Sequence, residues 1–393
     1  MEAISKCFEA PSDSRSTALI ATTVATTTAL ILLTRSVLWP SKRAVIPGPL
    51  TTNLHAFSKT EIAKIAYHPD FFPGARDVVT PYGNIRVYEF GPKDGRKVLF
   101  IHGISTSCMT LKDLAIPLAE KGCRVMLFDL FGRGFSDAPG DVPYDTRLFV
   151  TQILLVLASS SLSWTGDNGL NVIGYSLGGG IAANFAATFP NMVESLILLA
   201  PAGLIREENL GRVSRLVFTT GIIPERLLAW ITKHRLRQPI ASSVSKKIKK
   251  STDTLLQTEG KENYTDIAVQ EAVDPVDEPP QTAFELQVMN FVHWALDFHQ
   301  GFVQAFMSTI RYAPLLDQHD YWRRLAGRKP GTTAVLLGRD DNLIQKDDYE
   351  EDALPLLGGK DNVYWRVVPG AHNFPFTHAS HALERIYEFW LMD

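Results

Sequence analysis

The chain has 393 residues, 45% apolar and 21% charged, a composition that can bury a sizeable core and excludes a fibrous or wholly disordered protein. Its formal net charge of -3 provides no global basic field to collect phosphate backbones, so nucleic acid is not an expected partner. The three cysteines, Cys7, Cys108 and Cys123, have no CxxC or similar spacing, which argues against a disulfide scaffold and a zinc site. No cofactor or metal is expected.

Residues 16–34 are 19 uncharged residues bracketed by Arg15 and Arg35. At about 1.5 Å per residue they nearly match a hydrocarbon core of about 30 Å, so the expectation is a transmembrane helix within an N-terminal segment of residues 1–45. The many threonines weaken the hydropathy, but a helical threonine can bond its hydroxyl to a carbonyl one turn earlier. Two alternatives stay open. Glu2, Glu9 and Asp13 count against a cleaved signal peptide and a transit peptide, yet residues 14–60 contain no acid. Trp39, Lys42 and Arg43 suit the interface after a span, and the basic density there favours placing the chain beyond it in the cytosol.

Pro40, Pro47 and Pro49 then oppose regular helix, and residues 46–77 read as a linker ending after the Pro73-Gly74 turn. From Val78 onward a folded core is expected. Ile85 to Phe90 and Val98 to Ile101 read as strands about a turn at residues 91–95, followed by helical spacing at Leu111, Leu114, Ala115 and Leu118. Val125 to Phe128, Val172-Ile173, Leu196 to Leu199, Ala334 to Leu337 and Val363 to Val368 are apolar runs separated by helical stretches. That alternation predicts an α/β fold with a mostly parallel sheet covered on both faces, closed by a helix from about Ala379 to Leu391.

Between residues 206 and 296 the strand pattern lapses, which reads as a helical cap inserted between core segments 78–205 and 297–393. The cap is split in charge: residues 206–250 carry 11 Lys or Arg against 3 acids, residues 251–300 carry 1 against 10. Such halves can neutralise each other on a solvated surface. The run Lys246-Lys247-Ile248-Lys249-Lys250 can alternatively rest on anionic lipid. Phe284, Val288, Phe291, Phe298 and Phe302 either line an apolar pocket or pack helices.

The chemistry concentrates in Gly174-Tyr175-Ser176-Leu177-Gly178, a GxSxG between a predicted strand and the helical run from Gly179 to Phe189. On such a strained turn a serine hydroxyl is exposed, and small glycines admit close backbone approach. A serine hydroxyl needs a base, and the base an orienting acid, in the order Ser, Asp, His. Asp340 and Asp341 follow the strand ending at Leu337-Gly338, and His372 follows the last strand. The backbone N–H groups of Ile104 and Leu177 are positioned to serve a developing oxyanion, whereas the His102 imidazole reads as structural. His378 and His381 form an HxxH without a third ligand nearby, so no metal is expected there.

His102-Gly103, Asp129-Leu130-Phe131-Gly132-Arg133-Gly134-Phe135-Ser136-Asp137, Gly174 to Gly178, Gly338 to Asp341 and Gly370 to His372 together resemble the ordered signature of the α/β-hydrolase superfamily over residues 80–205 and 298–393. The resemblance implies the α/β-hydrolase fold and selects Asp341 as the acid, three residues after the glycine of a GxxD motif, with Asp340 in reserve. Pro201-Ala202-Gly203-Leu204 before the cap, with the N-terminal segment, is similar to membrane-bound monoacylglycerol-lipase-like members. Ser176 departs from the aspartate nucleophile of epoxide hydrolases and haloalkane dehalogenases.

The expected activity is therefore serine-dependent hydrolysis of a carboxylic ester or related acyl bond on a small-molecule acyl substrate, lipid-like ones included. Carbon–carbon bond hydrolases, thioesterases and acyltransferases use the same triad and stay open. A non-catalytic ligand-binding protein and a membrane-tethered interaction protein are the alternatives of another class.

Overall fold

The computed structural model describes residues 14–38, 43–166, 169–206, 224–237 and 283–392. The N-terminal stretch forms α1 (Ser14–Leu38), whose window Thr17–Ser36 has a mean hydropathy of 1.7 and is not buried by the other described residues. Its threonines bond back along the helix: Thr22 Oγ1 donates to Ala18 O at 2.7 Å, Thr23 to Leu19 O at 2.8 Å and Thr34 to Leu30 O at 2.6 Å. These hydroxyls are satisfied within the helix, which lowers the cost of placing threonine in an apolar medium.

The segment expected to be a linker, residues 46–77, is folded onto the core instead. β1 (Val45–Ile46) pairs antiparallel with Ala138 and Pro139, and Gly48 N–H donates to Asp137 Oδ1 at 2.6 Å. Leu54, Ile65, Tyr67 and Phe72 are buried. The prolines do exclude long helix, but they leave apolar side chains that pack, and Pro49 opens a one-turn helix at its first position.

β2 (Ala75–Thr80) and β3 (Gly83–Phe90) form a hairpin, then β4 (Lys97–Ile101), α2 (Lys112–Glu120) and β5 (Arg124–Phe128) follow. Beyond β6 (Ala138–Pro139) comes α3 (Thr146–Ala158), whose first turn is capped by the Asp145 carboxylate accepting from Leu148 N–H. β7 (Leu170–Tyr175), α4 (Leu177–Thr188) and β8 (Val193–Leu199) complete the first half. In the second half α5 (Glu225–Leu236), α6 (Ala283–Phe298), α7 (Phe302–Tyr312) and α8 (His319–Leu325) precede β9 (Thr333–Gly338). After it come α9 (Lys346–Leu356), β10 (Tyr364–Val368), α10 (Phe374–Thr377) and α11 (Ala379–Trp390).

Eight strands form one sheet in the order β10-β9-β8-β7-β4-β5-β3-β2, parallel from β10 to β5 and antiparallel at β5-β3 and β3-β2. Every residue of β7 and β9, and all but the first of β4 and β5, is buried, as a sheet covered by helices on both faces requires. β4 is followed by β5 on one side and by β7 on the other. The chain thus reverses direction between β4 and β7, and ligands of open α/β sheets bind beyond the carboxyl ends of the strands at such a point.

Of residues 206–296, the described ones form α5 and α6 and contain no strand. The basic run at residues 246–250 lies outside the described residues. The aromatics at the cap's return serve helix packing: Phe291 stacks on Trp294 and Trp294 on Phe298, with centroids 5.4 and 5.2 Å apart. Phe57 and Tyr67 of the N-terminal segment meet Phe298 and Phe291 edge-on, at 5.7 and 5.0 Å. Phe302 and Val288 are buried, and Phe284 meets Phe376 edge-on.

Candidate active site

Ser176 sits between the last residue of β7 and the first of α4 with φ 55° and ψ -120°, a backbone conformation that non-glycine residues seldom hold. The turn is held from several sides: Ser176 N–H donates to Leu199 O at 3.0 Å, and Ser176 O accepts from Ala202 N–H at 2.8 Å and Gly179 N–H at 2.9 Å. Two glycines make it sterically feasible. A Cβ on Gly174 would lie 2.3 Å from Gly178 O, and one on Gly178 would lie 2.1 Å from Ile101 O. Backbone therefore passes backbone where no side chain fits.

The structure brings Ser176, Asp341 and His372 together. His372 Nδ1 lies 2.8 Å from Asp341 Oδ2, and His372 Nε2 lies 2.9 Å from Ser176 Oγ. A carboxylate only accepts, so Nδ1 carries the proton and donates it to Asp341. Nε2 is then bare and accepts from the serine hydroxyl. The other oxygen of Asp341 accepts from the N–H groups of Leu343 at 2.9 Å and Ile344 at 2.8 Å, which fixes the carboxylate's rotation. All three side chains are at most 5% exposed. Asp340 is exposed, and its N–H donates to Gly370 O at 3.0 Å. The two loops are pressed together at Gly338, where a Cβ would fall 2.5 Å from Ala371 O.

Ile104 follows β4 and Leu177 opens α4, so both belong to loops at the same edge, because β4 and β7 are adjacent and parallel. Leu177 N–H lies in the first helical turn, whose donors have no acceptor within the helix. The peptide that carries Ile104 N–H has Gly103 O as its other end. His102 Nδ1 is 2.9 Å from that oxygen, while Leu130 N–H donates to His102 Nε2 at 2.9 Å. The second bond settles the tautomer: Nε2 accepts, so Nδ1–H donates to Gly103 O and orients the Gly103–Ile104 peptide. Burial drives the His102 imidazole down to about 3, so it stays neutral at physiological pH and holds this role.

Beneath the loop, Asp129 accepts from Cys108 N–H at 3.1 Å, Phe135 N–H at 2.9 Å and the Tyr67 hydroxyl at 3.0 Å. Burial raises its carboxyl to about 6 despite these bonds. A Cβ on Gly134 would overlap the Asp129 carboxylate at 2.0 Å. The Asp129 to Asp137 motif is visible in the sequence without roles for its residues, and Tyr67 does not stand out there. The signal for Tyr67 was weak, one tyrosine in a proline-interrupted segment. His378 and His381 have ring centroids 6.1 Å apart, and no group of three or more potential metal ligands occurs among the described residues.

A parallel sheet with a strained serine between strand and helix, and an acid and histidine on later loops of the same edge, defines the α/β-hydrolase fold. Residues 97–230 match the family described as alpha/beta hydrolase fold. A serine hydrolase-like protein of Danio rerio is 33% identical over 129 residues, 33% of this chain and 38% of that protein. One of Homo sapiens is 34% identical over 136 residues, 34% of this chain and 64% of that protein. The match thus spans less than two thirds of either relative. Among solved structures, a bacterial membrane phospholipase A aligns with TM-score 0.55 and 18% identity over 95% of this chain and 98% of its own. A carboxylesterase of Bacillus subtilis aligns with TM-score 0.54 and 17% identity over 82% and 93%. These structural likenesses speak for the fold. The chain has the α/β-hydrolase fold, and residues 97–230 are similar to that family.

Proposed function

We propose that the protein is a serine hydrolase that cleaves a carboxylic ester or related acyl bond through an acyl-enzyme. The observation that carries this reading is the unbroken chain from Asp341 Oδ2 through His372 to Ser176 Oγ, at 2.8 and 2.9 Å. Ser176 Oγ attacks the acyl carbon while its proton passes to His372 Nε2, and the carbonyl π pair moves onto oxygen. Ile104 and Leu177 N–H groups hold that oxyanion. Its collapse expels the alcohol, which takes the proton from His372, and water repeats the sequence on the acyl-serine to release the acid. Asp341 keeps the imidazole in the required tautomer and stabilises its charged form.

The strain at Ser176 favours catalysis over ligand binding alone, since a binding pocket gains nothing from a serine held at φ 55° with its hydroxyl on a histidine. We assign α1 as a single-pass anchor that tethers this domain to a membrane; its Leu19, Leu30 and Leu33 are each at least 64% exposed, uncovered by the other described residues.

A fluorophosphonate, which forms a tetrahedral adduct like the intermediate, should label Ser176 alone. Ser176→Ala should abolish labelling and His372→Ala should reduce it to near background. Folded wild-type protein that is neither labelled nor active on esters, thioesters or carbon–carbon substrates would exclude the hydrolase reading.

A further inference from the structure

We propose that Arg133 is a positioning residue for the oxyanion loop, linking the placement of α7 to that of Ile104. The proposal rests on the acyl-transfer reading above and adds the part that holds the loop. Arg133 is wholly buried, and its fork reaches three acceptors. Nε–H donates to Ile104 O at 2.9 Å, Nη1–H to Phe131 O at 3.2 Å and Nη2–H to Thr309 Oγ1 at 2.9 Å. The Thr309 hydroxyl donates in turn to Ala305 O at 2.7 Å, which fixes its lone pairs toward the guanidinium.

Ile104 is held through both of its peptide planes. The preceding plane, which contains its N–H, is held by His102 on Gly103 O; the following plane is held by Arg133 on Ile104 O. With both fixed, the residue's two dihedrals are fixed and the N–H points in one direction. A hydrogen bond from an ionised donor is about twice as strong as a neutral one, so Arg133 holds its plane firmly. Lysine, with a single nitrogen on a flexible stem, cannot reach three acceptors in a fixed fork.

The far end of the fork rests on a helix face built to stay in register. Residues 301, 305 and 309 of the α7 region follow at intervals of four and turn toward the loop of residues 131–144. A Cβ on Gly132 would lie 2.2 Å from Ala305 Cβ, and one on Gly301 would lie 2.3 Å from Ala138 Cβ. Ser308 Oγ accepts from Tyr144 N–H at 3.2 Å and Gln304 Nε2 donates to Gly140 O at 3.1 Å. Since α7 follows the cap's returning helix α6 and packs on α5, a displacement of the cap helices reaches Ile104 through Thr309 and Arg133.

The test uses the full chain in detergent with a p-nitrophenyl acyl ester and its thionoester. Sulfur accepts hydrogen bonds poorly, so the ester-to-thionoester ratio of kcat/KM reports how well the loop's N–H groups meet the developing oxyanion. Arg133→Met should lower kcat on the ester by about 10²-fold, the low end for losing one oxyanion donor. KM should stay within about threefold, and the ratio should fall well below the wild-type value, because only transition-state binding is affected. Arg133→Lys should fall between. If Arg133→Met fails to fold, Thr309→Val decides, since it removes only the far acceptor and should give the same signature at a several-fold level. Equal losses on ester and thionoester, or a loss that tracks the folded fraction alone, would overturn the proposal. A wild type inactive on the ester and unlabelled by phosphonate would overturn the hydrolase reading itself, a distinguishable result.

Discussion

Asp340 and Asp341 carry the same group one residue apart, and only their surroundings separate them. Asp341 is buried, with one oxygen fixed by two backbone N–H groups and the other on His372, whereas Asp340 faces solvent. Asp341→Asn should keep the fold yet present an amide to Nδ1, which favours the wrong tautomer or orientation. Turnover should drop by several orders of magnitude, up to about 10⁴-fold as measured for a comparable triad. Asp340→Asn should remain within a few-fold of wild type. Steady-state kinetics on one activated ester would check the ranking, and a reversal would reassign the acid. The residues of this proposed triad were legible because each is a chemically distinctive type on a loop directly after an apolar run. The roles of Arg133 and Tyr67 were not: Arg133 lies in a recognisable motif, but its Thr309 acceptor is 176 residues away, and Tyr67 carries no local mark while its partner Asp129 is 62 residues away.

At the scale of elements, apolar runs mark strands well when both faces are buried, and β4, β5, β7, β8 and β9 coincide with such runs. The N-terminal segment shows where this reasoning fails. Its prolines predict a break in structure, while in the fold they interrupt helices without preventing Leu54, Tyr67 and Phe72 from entering the core. Tyr67 meets Tyr88 of β3 and Phe291 of α6, and Phe72 meets Tyr88 and Phe90 of β3, so the burial is tertiary and leaves no periodicity to read. This placement shapes the test of α1. Deleting residues 1–38 removes the apolar helix but keeps β1, which pairs with β6. The truncated protein should move from the membrane pellet to the supernatant after an alkaline carbonate wash while retaining phosphonate labelling. Equal pelleting of both forms would remove the anchor assignment.

For the whole molecule, buried titratable groups tie stability to pH. Burial holds His102 down to about 3 and His299 to about 4, both below the ordinary imidazole value of 6.5. Between those values the unfolded chain binds protons that the folded one refuses, so this stability is present above pH 6.5 and is lost as pH falls toward 4. Each such histidine contributes a slope of about 1.4 kcal/mol per pH unit near pH 5. Asp129 acts in the opposite sense: its carboxyl, raised by burial to about 6 from 3.8, makes the folded state the better proton binder over that range. Two histidines against one carboxyl leave these three groups a net loss of about 1.4 kcal/mol per unit of acidification near pH 5. His299 offers the cleanest test, because Nε2–H donates to Ser136 O at 2.9 Å, Nδ1 accepts from Gly301 N–H, and neither contact belongs to the proposed triad. In His299→Gln the difference in unfolding free energy between pH 6 and pH 5, taken from denaturant melts, should shift by about 1 kcal/mol toward greater acid tolerance. This should hold even if the variant is less stable at every pH, because the readout is the slope. An unchanged slope would mean that His299 takes up its proton in the folded state as readily as in the unfolded chain, and the burial account of its depressed basicity would be wrong.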